Sequence, residues 1–364
     1  MITANSCALM IRQLLPLQAV THYTSTVMKL FYKALELPFQ YPFTISGGRT
    51  KTHQPTLLVA LQLGNLIGYG EAPAITYYNV TVEEMVEVIE RKKRMIEQFS
   101  LTEVERYWHY LHHLLPQHPF LVCALDMACW DLMGKMQQQP LYKLWNTEWQ
   151  NTPMTDYTIG IDSLEKMVAK MEAKPWPIYK IKLGTPDDIT VVKALREHTD
   201  AIFRVDANAG WTLEEALEKI PQLHALGVEF IEQPLAKDNW EGMAILYQQS
   251  ILPLIADESC VFEKDVAKCV NHFHGVNIKL TKCSGLTPAL RMIKEAREQN
   301  LKVMMGSMNE SSVGSAAIAH CLPQLDYVDM DGPLLLAEDI ATGIKYDFGR
   351  VTVENKPGLG VELI

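Results

Sequence analysis

Between residues 178 and 279 the chain repeats one pattern, a short apolar run that ends in a charged residue. The charged residues that close these runs stand 22 to 26 positions apart and are Lys182, Asp206, Glu232, Asp257 and Lys279. Apolar runs of this length, rich in β-branched and aromatic residues, are typical of strands buried on both faces. A repeat of about 24 residues fits one strand, one helix and two short loops. The sequence therefore predicts βα units that each bring one ionisable residue to the same edge of a parallel sheet.

Three further apolar runs extend this pattern in both directions along the chain. They lie at Tyr157 to Gly160, Lys302 to Gly306 and Tyr327 to Gly332. Eight strands that alternate with helices over roughly 175 residues indicate a parallel barrel. Because this length is short for a complete eightfold barrel, we expect the last helix to be missing or replaced.

The residues before the barrel show a different pattern. Strands are predicted within Lys29 to Leu37, Thr56 to Leu63 and Asn65 to Glu71, and helices within Val82 to Phe99, Leu101 to Leu115 and Phe120 to Met136. These elements describe a smaller α+β domain. The segment from Pro42 to Pro55 contains Gly47-Gly48 and several threonines, which predicts a mobile surface loop.

Composition limits the partners of this chain. Its content of 48% hydrophobic and 21% charged residues is that of a globular protein. A net charge of −10 argues against nucleic acid or an anionic membrane surface as the main partner. No apolar run reaches the ~18 residues of a membrane span. Seven cysteines without close pairing predict reduced, buried thiols and a cytoplasmic protein. Residues 1–27 lack the features of a signal peptide and are interpreted as an extension outside the fold.

Three of the residues at the strand ends are carboxylates on adjacent strands. Asp206, Glu232 and Asp257 end the third, fourth and fifth predicted strands, at the edge where parallel barrels carry their sites. Three converging carboxylates repel one another unless a cation compensates them, and oxygen ligands suit Mg²⁺. The alternative is that each acid caps a helix or pairs with a surface lysine. The shared register of all three favours a magnesium site.

Lysines end the second and the sixth predicted strands, which lie opposite each other in an eight-stranded barrel. Lys180 and Lys182 point to one side of the second strand, and Lys279 ends the sixth. A carboxylate of the substrate on Mg²⁺ would place its α-carbon between Lys182 and Lys279. One lysine can then remove a proton and the other return it to the opposite face, through an enediolate. We expect nearby cations to lower the pKa of these lysines. Lys282 is interpreted as a loop residue.

Two more acids flank Met330 on the eighth predicted strand. Asp329 and Asp331 are expected to point the same way, into a mouth that is already acidic and away from the metal strands. Such a pair needs a cation, and an ammonium group of the substrate is the natural candidate. The alternative is a polar turn before Gly332-Pro333.

Taken together, these motifs resemble the enolase superfamily in its muconate-lactonising subgroup. The similar segments are Lys180-x-Lys182, Asp206-Ala207-Asn208, Glu232-Gln233-Pro234, Asp257-Glu258-Ser259 and Asn277-Ile278-Lys279. The resemblance implies a Mg²⁺-dependent α/β enzyme in which an α+β capping domain covers a modified TIM barrel of (β/α)7β type. We divide the chain accordingly into an extension (1–27), a capping domain (28–152), a catalytic barrel (153–342) and a segment that returns to the capping domain (343–364).

Within that subgroup, Asp329-x-Asp331 and the segment from Gly306 to Glu310 resemble the dipeptide epimerases. In that family the acidic pair holds the free amino group of a dipeptide while Mg²⁺ holds its carboxylate. The substrate contacts that the resemblance implies are Asp329, Asp331, Lys180, Ser307, Asn309 and Glu310.

The capping-domain loop bears on the second side chain of the dipeptide. The best-known members of the family act on Ala-Glu from peptidoglycan, and an arginine of this loop reads the glutamate. Here a glycine stands where that arginine is expected, and Arg49 follows as a candidate contact. This departure favours a small or apolar second residue.

The resulting prediction is an isomerase, a dipeptide epimerase that inverts the C-terminal residue of Ala-Xaa. Lyase or cycloisomerase activity, such as o-succinylbenzoate synthesis or muconate cycloisomerisation, is one alternative, and N-acylamino acid racemisation is another. These lyases would leave Asp329 and Asp331 without an ammonium group. A barrel that only binds ligands is a third alternative, which the opposed lysines disfavour. We expect a small-molecule partner, no nucleic acid and no membrane, and leave a homo-oligomer open.

Overall fold

The computed structural model describes residues 27–45 and 49–364. The predicted extension 1–27 therefore lies outside the described residues, except for Val27. The first domain opens with an antiparallel sheet and continues with helices. Its strands are β1 (Lys29–Ile45), β2 (Arg49–Leu63) and β3 (Leu66–Pro73), and its helices are α1 (Val82–Glu97), α2 (Val104–Leu114), α3 (Pro119–Met136) and α4 (Leu141–Leu144).

Close packing of β3 on α3 fixes this domain. A Cβ atom at Gly68 would overlap the carbonyl oxygen of Ala128, and one at Gly70 would overlap that of Ala124. Only glycine therefore permits this approach of strand to helix. Helix α3 lies between the antiparallel sheet and the barrel, and it is therefore buried on nearly all sides.

The loop predicted from Pro42 to Pro55 is wrong for most of its length. Antiparallel pairing continues up to Ile45 on β1 and resumes at Arg49 on β2, so the segment is a long hairpin. Its threonines are β-branched and therefore suit a strand better than a loop. The register shifts between Pro38 and Phe43, where the hairpin is irregular. The tip with Gly47-Gly48 lies outside the described residues.

The second domain is a parallel barrel in which strands and helices alternate. Its elements are β4 (Tyr157–Ile159), α5 (Leu164–Ala173), β5 (Ile178–Lys182), α6 (Asp188–Arg196), β6 (Ile202–Asp206), α7 (Leu213–Ala225), β7 (Val228–Glu232), α8 (Trp240–Gln249), β8 (Leu254–Ala256), α9 (Glu263–Cys269), β9 (Gly275–Ile278), α10 (Leu280–Cys283), α11 (Leu286–Glu298), β10 (Lys302–Gly306), α12 (Ser312–Cys321), β11 (Tyr327–Asp329) and α13 (Gly332–Leu335). Each strand pairs with its sequence neighbour, from β4 to β11. The expected (β/α)7β barrel is confirmed, with only the short α13 after the last strand.

Buried polar contacts close the barrel between its first and last strands. Thr155 forms a parallel bridge with Val328, and its hydroxyl accepts a hydrogen bond from the Met330 amide at 2.9 Å. The buried guanidinium of Arg204, on β6, spans the same seam. It donates to an Asp156 carboxylate oxygen at 2.9 Å and to the Val328 carbonyl at 3.0 Å. Arg204 thereby ties the two ends of the sheet together from inside.

The chain after the barrel forms two small antiparallel pairs and contacts both domains. The pairs are β12 (Ala341–Thr342) with β15 (Glu362–Leu363), and β13 (Ile344–Asp347) with β14 (Arg350–Val353). The Leu359 amide donates to Asp131 of α3 at 2.8 Å, and the Tyr346 hydroxyl donates to the Met330 carbonyl at 2.9 Å. The domain boundaries at 152/153 and 342/343 stay predictions.

Two expectations from composition concern the described residues as a whole. Six cysteines in the described ranges are free and buried, as predicted for reduced thiols. None of the helices in the part of the chain that the structure describes has the length and apolar character needed to cross a bilayer.

The seam at Arg204 generates a stability prediction. Arg204→Met should lower the free energy of unfolding by about 3–5 kcal/mol, because it leaves the buried Asp156 carboxylate without its guanidinium. Chemical denaturation at neutral pH measures this loss. Lys166→Met is the control, since its partner Asp162 is 43% exposed and such a surface pair contributes less than about 1 kcal/mol. Equal losses in the two variants would contradict a role of Arg204 in closing the barrel.

Candidate active site

The charged strand ends meet at one edge of the barrel because their strands pair level with one another. Lys182 pairs with Asp206, and Asp206 pairs with Glu232, at the ends of β5, β6 and β7. Asp257 follows directly on β8, and Lys279 follows directly on β9. The register predicted from the 24-residue repeat therefore brings all five side chains to the same mouth.

Asp206, Glu232 and Asp257 form a compact cluster of carboxylates. One oxygen from each lies within 4.8 Å of the other two, and all three residues are buried. Neighbouring amides hold the remaining oxygens: the Asn208 amide donates to Asp206 Oδ1 at 2.9 Å, and the Asn277 side chain donates to Glu232 Oε1 at 2.8 Å. An oxygen-only set of this size, with its outer oxygens oriented by hydrogen bonds, suits a hard divalent cation such as Mg²⁺.

Lysine ammonium groups stand against the same carboxylates. Lys180 Nζ lies 2.7 Å from Glu232 Oε2 and 3.2 Å from Asp206 Oδ2. Lys182 Nζ lies 2.6 Å from Asp206 Oδ2. Lys279 Nζ lies 2.7 Å from Asp257 Oδ2. A divalent cation among the carboxylates would take over this neutralisation and release the lysines, so the residues present fit such an ion.

The pKa values of the cluster reflect its crowding. Burial alone would raise the pKa of Asp206, but the Lys182 and Lys180 ammonium groups hold it at about 2. Burial, followed by repulsion from Asp206, raises the pKa of Glu232 to about 7. Two neighbouring acids thus have pKa values that lie far apart. This is the separation expected when like charges crowd a buried site that lacks enough positive charge.

Lys279 does not have the lowered pKa that the sequence suggested. Burial would lower the pKa of Lys279, but the adjacent Asp257 carboxylate raises it above its usual range. Burial acts in the same direction on Lys180, and Asp329, Glu232 and Asp206 outweigh it and raise its pKa strongly. The expectation considered only neighbouring cations, whereas the structure places each of these ammonium groups against carboxylates.

On the side of the mouth next to β4 lie Asp329 and Asp331. Asp329 ends β11 and accepts a hydrogen bond from Lys180 Nζ at 2.8 Å. Asp331 was predicted to lie on the strand, and this is wrong. It occupies the N-cap position of α13, because the chain turns into this helix after Met330. Both acids nevertheless line one cavity with Lys182 and Lys279. Burial and the charge of Asp329 raise the pKa of Asp331 to about 7.

The loop after β10 has half-buried residues that line the cavity and a buried residue behind them. Ser307 and Asn309, two of the expected substrate contacts, line the cavity together with Met308. Glu310 is buried, and its carboxylate accepts a hydrogen bond from the Met308 amide at 2.6 Å. It is not among the residues that line the cavity, so it supports the loop from below.

The capping domain forms the roof of the cavity with residues that sequence reasoning did not identify. Ile75, Tyr77 and Tyr78 come from the turn after β3, and Lys51 comes from β2. Arg49 belongs to the backbone of β2, but its side chain lies outside the described part of the structure. A sequence signal for this wall is weak, because only the packing of the two domains brings the turn over the barrel.

Two charged residues in or near the predicted motifs were not identified as site residues from the sequence. Glu258 follows Asp257 and lines the cavity, and burial raises its pKa to about 8. Lys282, interpreted as a loop residue, is instead buried on α10 and contacts Asp257 Oδ1 at 2.6 Å. Its spacing of three from Lys279 fits one helical turn, and this was the available signal.

Comparisons with known families agree with this fold. A family model described as mandelate racemase / muconate lactonizing enzyme, N-terminal domain, matches residues 28–145, and one described as enolase C-terminal domain-like matches residues 162–364. The chain therefore belongs to the mandelate racemase / muconate lactonizing enzyme family of the enolase superfamily, and the resemblance seen in the sequence is confirmed.

Among its relatives are enzymes named epimerases. The L-Ala-D/L-amino acid epimerase of Flavobacterium johnsoniae is 52% identical over 337 residues, which is 93% of this chain and 100% of that protein. A substrate-liganded L-Ala-D/L-Glu epimerase from Bacillus subtilis superposes with a TM-score of 0.87 at 28% identity, over 93% of this chain and 99% of that one. A Cytophaga hutchinsonii dipeptide epimerase, complexed with Mg and D-Ala-L-Val, gives 0.86 at 25% identity, over 93% and 96%. The expectation of an isomerase is thereby confirmed.

The carboxylate cluster leads to a prediction on metal binding. One Mg²⁺ per chain should bind the metal-stripped protein, and Mg²⁺ at 100 times its Kd should stabilise it by about 2.7 kcal/mol. Calorimetry and thermal unfolding measure the two effects. Glu232→Gln should abolish both, because it removes a charged ligand. Glu229→Gln, on the same strand but directed at Arg204, should keep both. Unchanged Mg²⁺ binding by Glu232→Gln would place the ion elsewhere.

Proposed function

We propose that this chain is a Mg²⁺-dependent dipeptide epimerase that inverts the α-carbon of the C-terminal residue of Ala-Xaa. One observation carries the proposal. A single cavity is lined by Asp257 of the carboxylate cluster, by lysines from opposite strands and, at its other side, by the acidic pair Asp329 and Asp331. The epimerase relatives support the same reaction. Each group of residues has a separate task in it.

Asp206, Glu232 and Asp257 would hold the metal. When bound there, Mg²⁺ supplies positive charge that binds the carboxylate of the dipeptide and stabilises the negative charge that develops on it. The buried position of the three ligands keeps competing water away from this charge. The carboxylate end of the substrate is thereby fixed near β6 to β8.

Lys182 and Lys279 are the proposed acid and base. They stand at the ends of β5 and β9, four strands apart in an eight-stranded barrel, so they approach the α-carbon from opposite faces. A neutral lysine on one face takes the α-proton, and the ammonium group on the other face donates one, which inverts the centre. Solvent then restores both protonation states. Lys180 remains paired with Asp329 and is only 1% exposed, so we assign it electrostatic support of the carboxylate end.

Asp329 and Asp331 are the proposed seat for the free amino group. Asp329 Oδ1 is buried and accepts no hydrogen bond from a described group. Burial and the charge of Asp329 raise the pKa of Asp331, and an ammonium group between the two acids would favour its ionised form. One peptide unit past the α-carbon spans ~3.5 Å, about the reach needed to cross from the lysines to this pair.

The walls around the second side chain favour a small or hydrophobic residue. Ile75, Tyr77, Tyr78 and Met308 supply apolar and aromatic surface to the cavity. Burial of apolar side-chain area against them contributes roughly 25 cal/mol per Å². Arg49 stays a candidate contact for a polar second residue, and Ser307 and Asn309 stay candidate contacts for the peptide unit.

The amino-group seat is tested with a matched pair of substrates. Ala-Val should be turned over, whereas N-acetyl-Ala-Val should not, because acetylation removes the charge that Asp329 and Asp331 need. Asp331→Asn should lower kcat/KM for Ala-Val by about ten- to hundred-fold, which is what one charge-assisted hydrogen bond contributes. Racemisation assays by chiral chromatography give both values.

The four combinations of enzyme and substrate also separate the alternatives. If the acids bind the ammonium group, Asp331→Asn should lower kcat/KM for Ala-Val and leave N-acetyl-Ala-Val unreacted, as it is with the wild-type protein. Equal kcat/KM for the two substrates, or better turnover of an N-succinylamino acid, would move the assignment to a racemase or synthase.

The two-base mechanism predicts face-specific proton exchange. Lys182→Ala and Lys279→Ala should each abolish epimerisation, because one face then lacks its acid or base. In D₂O each variant should still exchange the α-proton of one epimer, L-Ala-L-Val or L-Ala-D-Val, and the two variants should act on different epimers. Mass spectrometry of the recovered dipeptide measures the exchange. Full epimerase activity in either variant would contradict the mechanism.

A further inference from the structure

Asp257 carries a lysine on each of its carboxylate oxygens. Lys279 Nζ lies 2.7 Å from Oδ2, and Lys282 Nζ lies 2.6 Å from Oδ1. A proposed metal ligand is thus shared between a proposed catalytic lysine and a second lysine that the mechanism does not use. The surroundings of the two ammonium groups differ in ways that assign them different tasks.

Lys282 is fully enclosed and its donors are occupied. It stands on α10, and its side chain has no exposed surface. Besides Asp257 Oδ1, its ammonium group donates to the carbonyl oxygens of Asp257 at 2.5 Å and of Cys260 at 3.0 Å. An ammonium group has three hydrogens, and these contacts account for all of them. Lys282 is therefore a fixed anchor and does not line the cavity that holds the catalytic groups.

Lys279 is less constrained. Its side chain is 10% exposed and lines the cavity, and Asp257 Oδ2 is the one described acceptor at hydrogen-bond distance from its ammonium group. Proton transfer requires Lys279 to leave this oxygen and face the α-carbon. When Lys279 leaves, Lys282 stays on the other oxygen, so Asp257 keeps one ammonium contact in addition to any bound cation. The double contact to the side chain and main chain of Asp257 also fixes the plane of the carboxylate.

We infer that Lys282 is a positioning residue, which orients Asp257 as a metal ligand and neutralises it so that Lys279 is free for proton transfer. The inference rests on the proposed function for its second half, and on the metal site alone for its first. A simple charge argument leads to the opposite expectation. A buried ammonium group repels a nearby divalent cation, so removing it should tighten Mg²⁺ binding if Lys282 did not hold the ligand in place.

The test compares two buried lysines. Lys282→Met should weaken Mg²⁺ binding to the metal-stripped protein by about ten- to hundred-fold, the usual effect of losing a group that orients a metal ligand. Lys219→Met is the matched control, because Lys219 is also buried and donates to Asp188 Oδ2 at 2.9 Å, away from the metal cluster. Both variants should lower Tm, but the control should keep its Mg²⁺ Kd within about twofold. Titration calorimetry and thermal unfolding give the two readouts.

A second measurement addresses Lys279. At saturating Mg²⁺, Lys282→Met should slow α-proton exchange more for the epimer of Ala-Val that depends on Lys279 than for the one that depends on Lys182. Lys282→Gln, which keeps an amide donor, takes its place if the methionine variant does not fold, and should show the same effects at a smaller factor.

Two results would overturn the inference. One is an unchanged or tighter Mg²⁺ Kd in Lys282→Met with a Tm loss like that of Lys219→Met, which would leave only a structural role. The other is that Lys282→Met slows α-proton exchange equally for both epimers of Ala-Val. Failure of the wild-type protein to act on Ala-Val, with Mg²⁺ affinity still dependent on Lys282, would refute the substrate and not the positioning role.

Discussion

Charge balance in a buried space is the constraint on which the rest of this structure depends. Three carboxylates at the barrel mouth lie within 4.8 Å of one another, and no protein fold keeps such a group ionised without compensating charge. The chain provides lysines for this purpose from both sides of the mouth. In the proposed mechanism, two of these lysines also act on an α-carbon once a metal neutralises the acids. Compensation and catalysis would then use one set of side chains, with Lys282 assigned to compensation alone.

The second requirement is a fixed position of the capping domain over the barrel. Buried acids of the capping domain provide this by hydrogen bonding to barrel helices. Glu71 on β3 accepts hydrogen bonds from the amides of Ser311 and Gly314 at the start of α12, both at 3.0 Å. Asp126 on α3 accepts from the Thr287 hydroxyl at 2.6 Å. Carboxylates at the first turn of a helix interact favourably with its dipole. The Glu71 contacts fix the start of α12 against β3, and the Asp126 contact fixes α3 against α11. The turn after β3 and the loop after β10 line the cavity.

The errors of sequence reasoning have separate physical causes. Glycine, proline and threonine in the hairpin of β1 and β2 are common in turns and therefore predict a loop. Pairing between the two strands decides their conformation instead. The apolar pattern predicts that Asp331 lies on the eighth strand. The strand ends earlier, because a short helix begins directly after Asp331. The lysine pKa values were judged from neighbouring cations alone. At the hairpin and the lysines, contacts with other strands outweighed the local signal, whereas at Asp331 the short helix that follows ended the strand.

The sequence by itself determined the repeat, and the repeat determined the site. A period of about 24 residues requires βα units, and parallel strands end at one edge, so the residue types at positions 182, 206, 232, 257 and 279 were sufficient to place lysines opposite each other and carboxylates side by side. Only the tertiary structure decided what closes the barrel, what roofs the cavity and what holds Asp257. Those contacts join residues such as Glu71 and Ser311, 240 positions apart, and no local pattern records which distant surfaces will pack together.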